Sequence, residues 1–252
     1  QVAKKRVPVF AGATALGTKE TVRQMRGVKD VGADGAFVGL PLWQTPTIEN
    51  SVQFYTDLGE AAPDMPIMVY ANSRFFKSSF PTVFWERLAK RAPTVTVTKI
   101  SYGIANLLDD LRVAGHRINF MPGESSIYAA YKMARRKITT VWSSGAAGMG
   151  PELMVALADA VLRDDEKRVD EIWEDLQSVP RSAPPGEWVA GFPQYNIQIN
   201  RFQANAAGYL KAGPSRVPYR LSDLPESWKK PSELRAKAWT DLRKKYMRRS
   251  GA

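Results

Sequence analysis

The 252-residue chain predicts an α/β fold, a (β/α)8 barrel with a helical C-terminal extension. Three observations carry the prediction. Short apolar runs alternate with amphipathic stretches between residues 7 and 145. Six such runs start 21 to 31 residues apart, the spacing of successive strand-helix units. The runs lack clean alternation, as strands of a parallel sheet do when both faces are buried.

In order, the strands are expected at Val7 to Ala11, Gly35 to Leu40, Pro66 to Tyr70, Thr94 to Lys99, Arg117 to Met121 and Ile138 to Trp142. Helices are expected at Lys19 to Val31, Ile48 to Ala61, Pro81 to Arg91, Ile104 to Val113 and Ser125 to Ala134. Thr18 is a cap for the first helix and Thr47 with Asn50 for the second. Gly32-Ala33-Asp34-Gly35 and Ala114-Gly115 read as helix-to-strand turns. From Pro151 onward strand signals stop. Helices are expected near 151 to 163, 165 to 178, 197 to 211 and 231 to 247, with proline-rich joins at 180 to 193 and 213 to 231.

Six units suit either an open doubly wound sheet or most of a barrel. Chemically distinctive residues follow nearly every strand: Gly12-Ala13-Thr14, Pro41-Leu42-Trp43, Tyr70 with Asn72, Lys99, Pro122-Gly123-Glu124 and Trp142-Ser143-Ser144-Gly145. That is the pattern at the C-terminal face of a barrel. Gly145-Ala146-Ala147-Gly148-Met149-Gly150 lacks the spacing of a dinucleotide loop and reads as a tight turn. Residues 1-150 are therefore expected to hold the barrel strands with their helices, and 151-252 the final barrel helix and the extension.

Hydrophobic residues make up 44% of the chain, enough for a substantial core. The absence of cysteine excludes disulfides, thiolate metal sites and cysteine nucleophiles, and fits a cytoplasmic protein. No apolar run approaches the roughly 20 residues that cross a bilayer, so no membrane partner is expected. Lys plus Arg number 36 against 25 acidic residues, a net charge of +11. The excess gathers in Lys4-Lys5-Arg6, Arg135-Arg136-Lys137 and Arg243-Lys244-Lys245 with Arg248-Arg249, without a basic-aromatic surface or a nucleic-acid motif. Solvated helix ends account for these clusters, and an anionic substrate needs only a local field. Asp109-Asp110 and Asp164-Asp165 are likewise read as solvated, His116 as structural or surface, and Glu124 as a helix-start carboxylate. No acid and histidine set suggests a metal site.

Lys99 ends the run Val95-Thr96-Val97-Thr98-Lys99, where an amine is costly in an apolar sheet. It is either a lysine that snorkels out at a sheet edge or a nucleophile. An apolar barrel mouth lowers an amine pKa from about 10.4 and frees the base to attack a ketone. Tyr70 ends the preceding strand, as an ordinary strand-end tyrosine or as a proton shuttle beside the amine. Gly-x-Ser-x-Gly is absent, so a serine hydrolase is a poor reading.

Val69-Tyr70-Ala71-Asn72, Thr98-Lys99 and Trp142-Ser143-Ser144-Gly145, in this order and spacing, resemble the dihydrodipicolinate synthase and N-acetylneuraminate lyase family. Phe80-Pro81 with Phe84-Trp85, Tyr195-Asn196-Ile197 and Ala206-Ala207-Gly208-Tyr209-Leu210-Lys211-Ala212-Gly213-Pro214 narrow the resemblance to its hydratase-aldolase branch, which acts on hydroxybenzylidene- and carboxybenzal-pyruvates. The resemblance spans essentially the whole chain. One feature departs from it. The family barrel opens with two further strand-helix units, the second carrying a Gly-Thr-x-Gly-Glu loop that binds the substrate carboxylate, and nothing here matches it. With Gln1 reading like the tail of a helix, the six strands are expected to be the third to eighth of the barrel.

The resemblance implies a Schiff-base lyase that converts an arylidene pyruvate and water to an aromatic aldehyde and pyruvate, in the breakdown of a hydrocarbon such as naphthalene or phenanthrene. It implies no metal or redox cofactor, and a homotetramer. Lys99 is then the imine lysine and Tyr70 the shuttle. Asn72 and Asn196 orient a carbonyl or a water, or serve as turn residues. Trp142 walls the ring pocket, donates its indole hydrogen bond, or packs in the core. Trp43 and Phe75 are further ring-pocket candidates, and Ser143, Ser144 and Gly145 present backbone amides to a carboxylate. Arg74 either faces solvent or pairs with a ring carboxylate. Two alternatives stay open: a class I pyruvate lyase or synthase acting on an aliphatic or sugar keto acid, and a noncatalytic or nucleic-acid-binding basic barrel.

Overall fold

The computed structural model describes residues 3–41, 43–101 and 103–247. Gln1, Leu42 and the Arg248-Arg249 pair of the sequence argument lie outside them. The chain forms two compact units that divide between Trp142 and Ser143. Among the described residues no helix is long and apolar enough to cross a membrane.

The first unit is a five-stranded parallel sheet in the order β1-β2-β3-β4-β5. The strands are β1 (Phe10–Gly12), β2 (Gly35–Val38), β3 (Ile67–Ala71), β4 (Val95–Ile100) and β5 (Asn119–Met121). They alternate with α1 (Thr18–Asp30), α2 (Ile48–Ala61), α3 (Thr82–Arg91), α4 (Leu107–Ala114) and α5 (Ile127–Ala134). Strand order rises without reversal, so the sheet has no switch point of the doubly wound kind. With right-handed crossovers, each helix lands on the same face as the one before, which is the winding of a barrel wall. Val38, Leu40, Tyr55, Leu58, Ile67, Val69, Trp85 and Leu88 are fully buried between sheet and helices, and the Tyr55 hydroxyl donates to the Val38 carbonyl at 3.1 Å.

Several boundaries differ from expectation, each for a local reason. β1 starts three residues late because the Asp34 carboxylate accepts the Val9 N–H at 2.9 Å, and Val9 O accepts from the Asp34 and Gly35 amides, a turn rather than a ladder. β5 starts late because the Arg117 and Ile118 amides both donate to Ala114 O, at 3.0 and 2.9 Å. The sixth strand does not form. Ile138 to Trp142 makes one parallel bridge, Gly123 with Trp142. The Thr139 and Thr140 hydroxyls meet the Asn119 side chain at 3.2 and 2.9 Å, so side chains hold what a ladder would otherwise pair.

The N-cap of α1 is Gly17 rather than Thr18, which is the first helical residue. Thr47 caps α2 as expected: its Oγ1 accepts from Asn50 N at 3.1 Å and donates to Asn50 Oδ1 at 2.7 Å. Asp110 corrects the solvated reading of the Asp109-Asp110 pair, since it is 1% exposed and accepts from the Thr82 hydroxyl at 2.7 Å. Asp165 caps a helix of the second unit, accepting from Arg168 N at 3.1 Å.

The second unit holds α6 (Gly145–Gly148), α7 (Glu152–Leu162), α8 (Glu166–Gln177), α9 (Trp188–Ala207) and α10 (Glu226–Met247). α9 and α10 begin upstream of Pro193 and Pro231, which lie inside them. Aromatic packing holds those first turns together against the lost backbone bond: Trp188 stacks on Phe192 at 4.2 Å, and Trp228 packs with Ile199 and Leu224. α9 ends at Ala207, not at residue 211, because Gly208 turns left-handed at φ 67°. Arg243, read as solvated, is largely covered and pairs with Glu152, whereas Lys245 stays exposed as expected while pairing with Asp175.

Candidate active site

In the parallel ladder Tyr70 of β3 lies opposite Lys99 of β4, and Lys99 lies opposite Met121 of β5. Side chains paired across a ladder project to one face, so phenol and amine leave the sheet together. Phe37 of β2 pairs with Met68, two residues before Tyr70, and therefore shares that face. Lys99 Nζ lies 4.4 Å from the Tyr70 ring centroid, 4.0 Å from that of Trp142 and 5.7 Å from that of Phe37. Ring faces stabilise a cation there, whether an ammonium or a protonated imine.

Burial lowers the Lys99 pKa from the ordinary lysine value, and the Glu124 carboxylate opposes that shift. Burial raises the Tyr70 pKa, opposed by its hydrogen bond from Asn72. The phenol therefore keeps its proton at neutral pH while the amine surrenders one more readily. That combination is a nucleophile with an acid beside it.

Asn72 is buried and bonded on both sides of its amide. Its Oδ1 accepts from Phe75 N at 3.0 Å, capping the turn after β3, and its Nδ2 donates to the Tyr70 hydroxyl at 3.4 Å. The turn-residue expectation is met, and the other side of the amide is committed to the phenol. Trp142 commits its indole N–H to Ile100 O at 3.0 Å, which leaves the ring face toward Lys99. A β-carbon on Gly123 would fall 2.3 Å from Trp142 Cζ2, so glycine there is what admits the indole.

Trp43, Arg74 and Phe75 follow β2 and β3, and four further candidates fall in the second unit. Trp43 is 81% exposed in the coil after β2. Arg74 is exposed, and Phe75 is half-buried and reaches Asn72 through its backbone. Ser143, Ser144, Gly145 and Asn196 belong to the second unit. There Asn196 Oδ1 accepts from Asn200 Nδ2 at 2.6 Å, and Asn200 Oδ1 lies 2.6 Å from where a Gly145 β-carbon would stand. His116 is exposed just before β5. Phe37, Phe76 and the influence of Glu124 escaped the sequence argument. Register could have found Phe37, since it occupies the strand position facing Tyr70. Glu124 lies between β5 and α5, at the end of the strand next to that of Lys99.

Fold and site together define a class: a sequentially wound parallel α/β protein with a half-buried amine and a phenol at neighbouring strand ends. The chain belongs to the Dihydrodipicolinate synthetase family, which matches residues 1–182. It is 38% identical over 245 residues to a trans-O-hydroxybenzylidenepyruvate hydratase-aldolase of Pseudomonas aeruginosa, covering 96% of this chain and 72% of that protein. It is 30% identical over 248 residues to a trans-2'-carboxybenzalpyruvate hydratase-aldolase of Nocardioides sp. (strain KP7), covering 96% and 73%. Among solved structures, PhdJ bound to a substrate intermediate superposes with a TM-score of 0.88 at 32% identity, over 97% of this chain and 75% of that one. A dihydrodipicolinate synthase of Thermotoga maritima shares the fold, with a TM-score of 0.77 at 18% identity over 96% and 77%.

Proposed function

We propose that the chain is a lyase, a hydratase-aldolase that converts an arylidene pyruvate and water to an aromatic aldehyde and pyruvate in aromatic hydrocarbon breakdown. The observation that carries the reading is the register pair Tyr70 and Lys99, with the amine set among three ring faces. The hydratase-aldolase names of the relatives above support it.

Lys99 adds to the C2 ketone, and Tyr70 donates to the oxygen as the carbinolamine forms. Loss of water leaves a protonated imine conjugated to the C3 to C4 double bond. Water adds at C4 and a proton at C3. Removal of the proton from the new C4 hydroxyl then breaks C3 to C4, releasing the aldehyde and leaving an enamine. Protonation at C3 and hydrolysis free pyruvate and the amine. The covalent imine is the electron sink, so the scheme calls for no metal or redox cofactor. Asn72 keeps the phenol in place through its Nδ2.

In this reading the sheet is part of a (β/α)8 barrel, and the protein is a cytoplasmic homotetramer. An ortho-hydroxylated ring is favoured over a carboxylated one, because the chain is 38% identical to the hydroxybenzylidenepyruvate enzyme and 30% to the carboxybenzalpyruvate one. Aldehyde release from both benzylidene pyruvates tests this. Turnover of the hydroxylated substrate, lost in Lys99→Ala, supports the reading, and turnover that survives Lys99→Ala overturns it. A sugar-acid lyase would instead release pyruvate from an aliphatic keto acid and leave both ring substrates untouched.

A further inference from the structure

Tyr70 can transfer a proton productively only while its hydroxyl keeps one place, and Asn72 bonds the hydroxyl without fixing the ring that carries it. We propose that Gly39 and Phe76 are a positioning pair for the Tyr70 phenol. The inference rests on the reading of Tyr70 as the proton shuttle and adds the device that orients it.

Two rings flank Tyr70. Phe37 lies against it at 4.9 Å between centroids and 30° between planes, and Phe76 meets it edge to face at 5.3 Å and 78°. Two neighbours at different inclinations fix both the direction and the tilt of a ring, where one would leave it free to rock. Phe76 is itself 4% exposed. Its backbone is pinned by the turn after β3, since Phe76 N donates to Asn72 O at 3.0 Å and Lys77 closes the turn at φ 47°.

The far edge of the Phe76 ring rests on Gly39. A β-carbon at position 39 would fall 1.9 Å from Phe76 Cζ, 2.2 Å from Cε1 and 2.6 Å from Cε2, separations that no real side chain tolerates. Gly39 cannot back away: its N–H donates to Thr14 Oγ1 at 2.9 Å, and its neighbours Val38 and Leu40 are fully buried. The Phe76 ring is a rigid plate between Gly39 and Tyr70. A methyl group added at position 39 therefore pushes through Phe76 onto the phenol, whose hydroxyl has to stay within reach of Lys99 and Asn72.

The test is a double-mutant cycle on kcat with an arylidene pyruvate, using Gly39→Ala, Tyr70→Phe and the two combined. Gly39→Ala is expected to lower kcat by about 10- to 100-fold, the scale of an ångström-size misplacement. KM and the equilibrium extent of borohydride trapping of pyruvate at Lys99 should stay within about twofold, since a misplaced proton donor slows imine formation without changing its equilibrium. In the Tyr70→Phe background the same change should cost less than about twofold, because no hydroxyl remains to misplace. Should Gly39→Ala fail to fold, Phe76→Leu replaces it in the same cycle, with the same pattern expected at smaller amplitude. Equal losses in the two backgrounds, or loss of trapping, overturn the positioning pair and leave the shuttle role of Tyr70 standing. Unchanged kcat in Tyr70→Phe alone overturns the shuttle reading, and the pair with it.

Discussion

At Lys99 two influences oppose each other: burial drives the proton off, and Glu124 holds it on. Glu124→Gln removes the second. The midpoint of the pH profile for imine formation should then move to lower pH, and single-turnover trapping across a pH series reads it directly. A midpoint that stays or rises would show that Glu124 does not act on the amine. The same shifts couple to folding with opposite signs. Between its lowered folded value and the ordinary lysine value, Lys99 binds fewer protons in the fold than in the unfolded chain, so stability rises with pH across that window. Tyr70 keeps its proton in the fold above the ordinary tyrosine value, where the unfolded chain has lost it, so there stability falls as pH rises. Lys99→Met should flatten the first slope and Tyr70→Phe the second in urea titrations at several pH values.

Among the elements, caps offer the cleanest tests because each involves one or two atoms. Thr47→Ala deletes the hydroxyl that holds Asn50 N at the start of α2 and should cost about 1 kcal/mol, seen as a lower urea midpoint with an unchanged slope. Gly208→Ala forces a side chain into φ 67° after α9 and should cost about 1–2 kcal/mol. Losses near zero at either position would contradict the capping role. Thr47 is readable from its own position, whereas Gly208 lies inside the helix expected at 197 to 211, and its capping turn shows only in the backbone. The lysine and tyrosine were readable too, because a polar residue closing an apolar run stands out in a short window. The sixth strand was not readable. Ile138 to Trp142 has strand composition, yet its pairing is decided by Asn119, about twenty positions away, whose side chain takes the threonine hydroxyls. Phe76 and Gly39 were hidden for the same reason: the contact joins two segments whose local patterns say nothing of each other.

For the whole molecule, the net charge of +11 enters through its field. An anionic keto acid is drawn to a cationic protein, so kcat/KM should fall as salt rises past the roughly 10 Å screening length at 0.1 M, while kcat holds. Equal falls in both would place the salt effect on chemistry instead of encounter. The central claim is that Lys99 forms an imine with pyruvate, and mass spectrometry after borohydride reduction tests it most directly. The account predicts one pyruvate-derived adduct, mapped to the peptide containing Lys99 and missing in Lys99→Ala. An unmodified protein, or an adduct on another lysine that persists in Lys99→Ala, would contradict it.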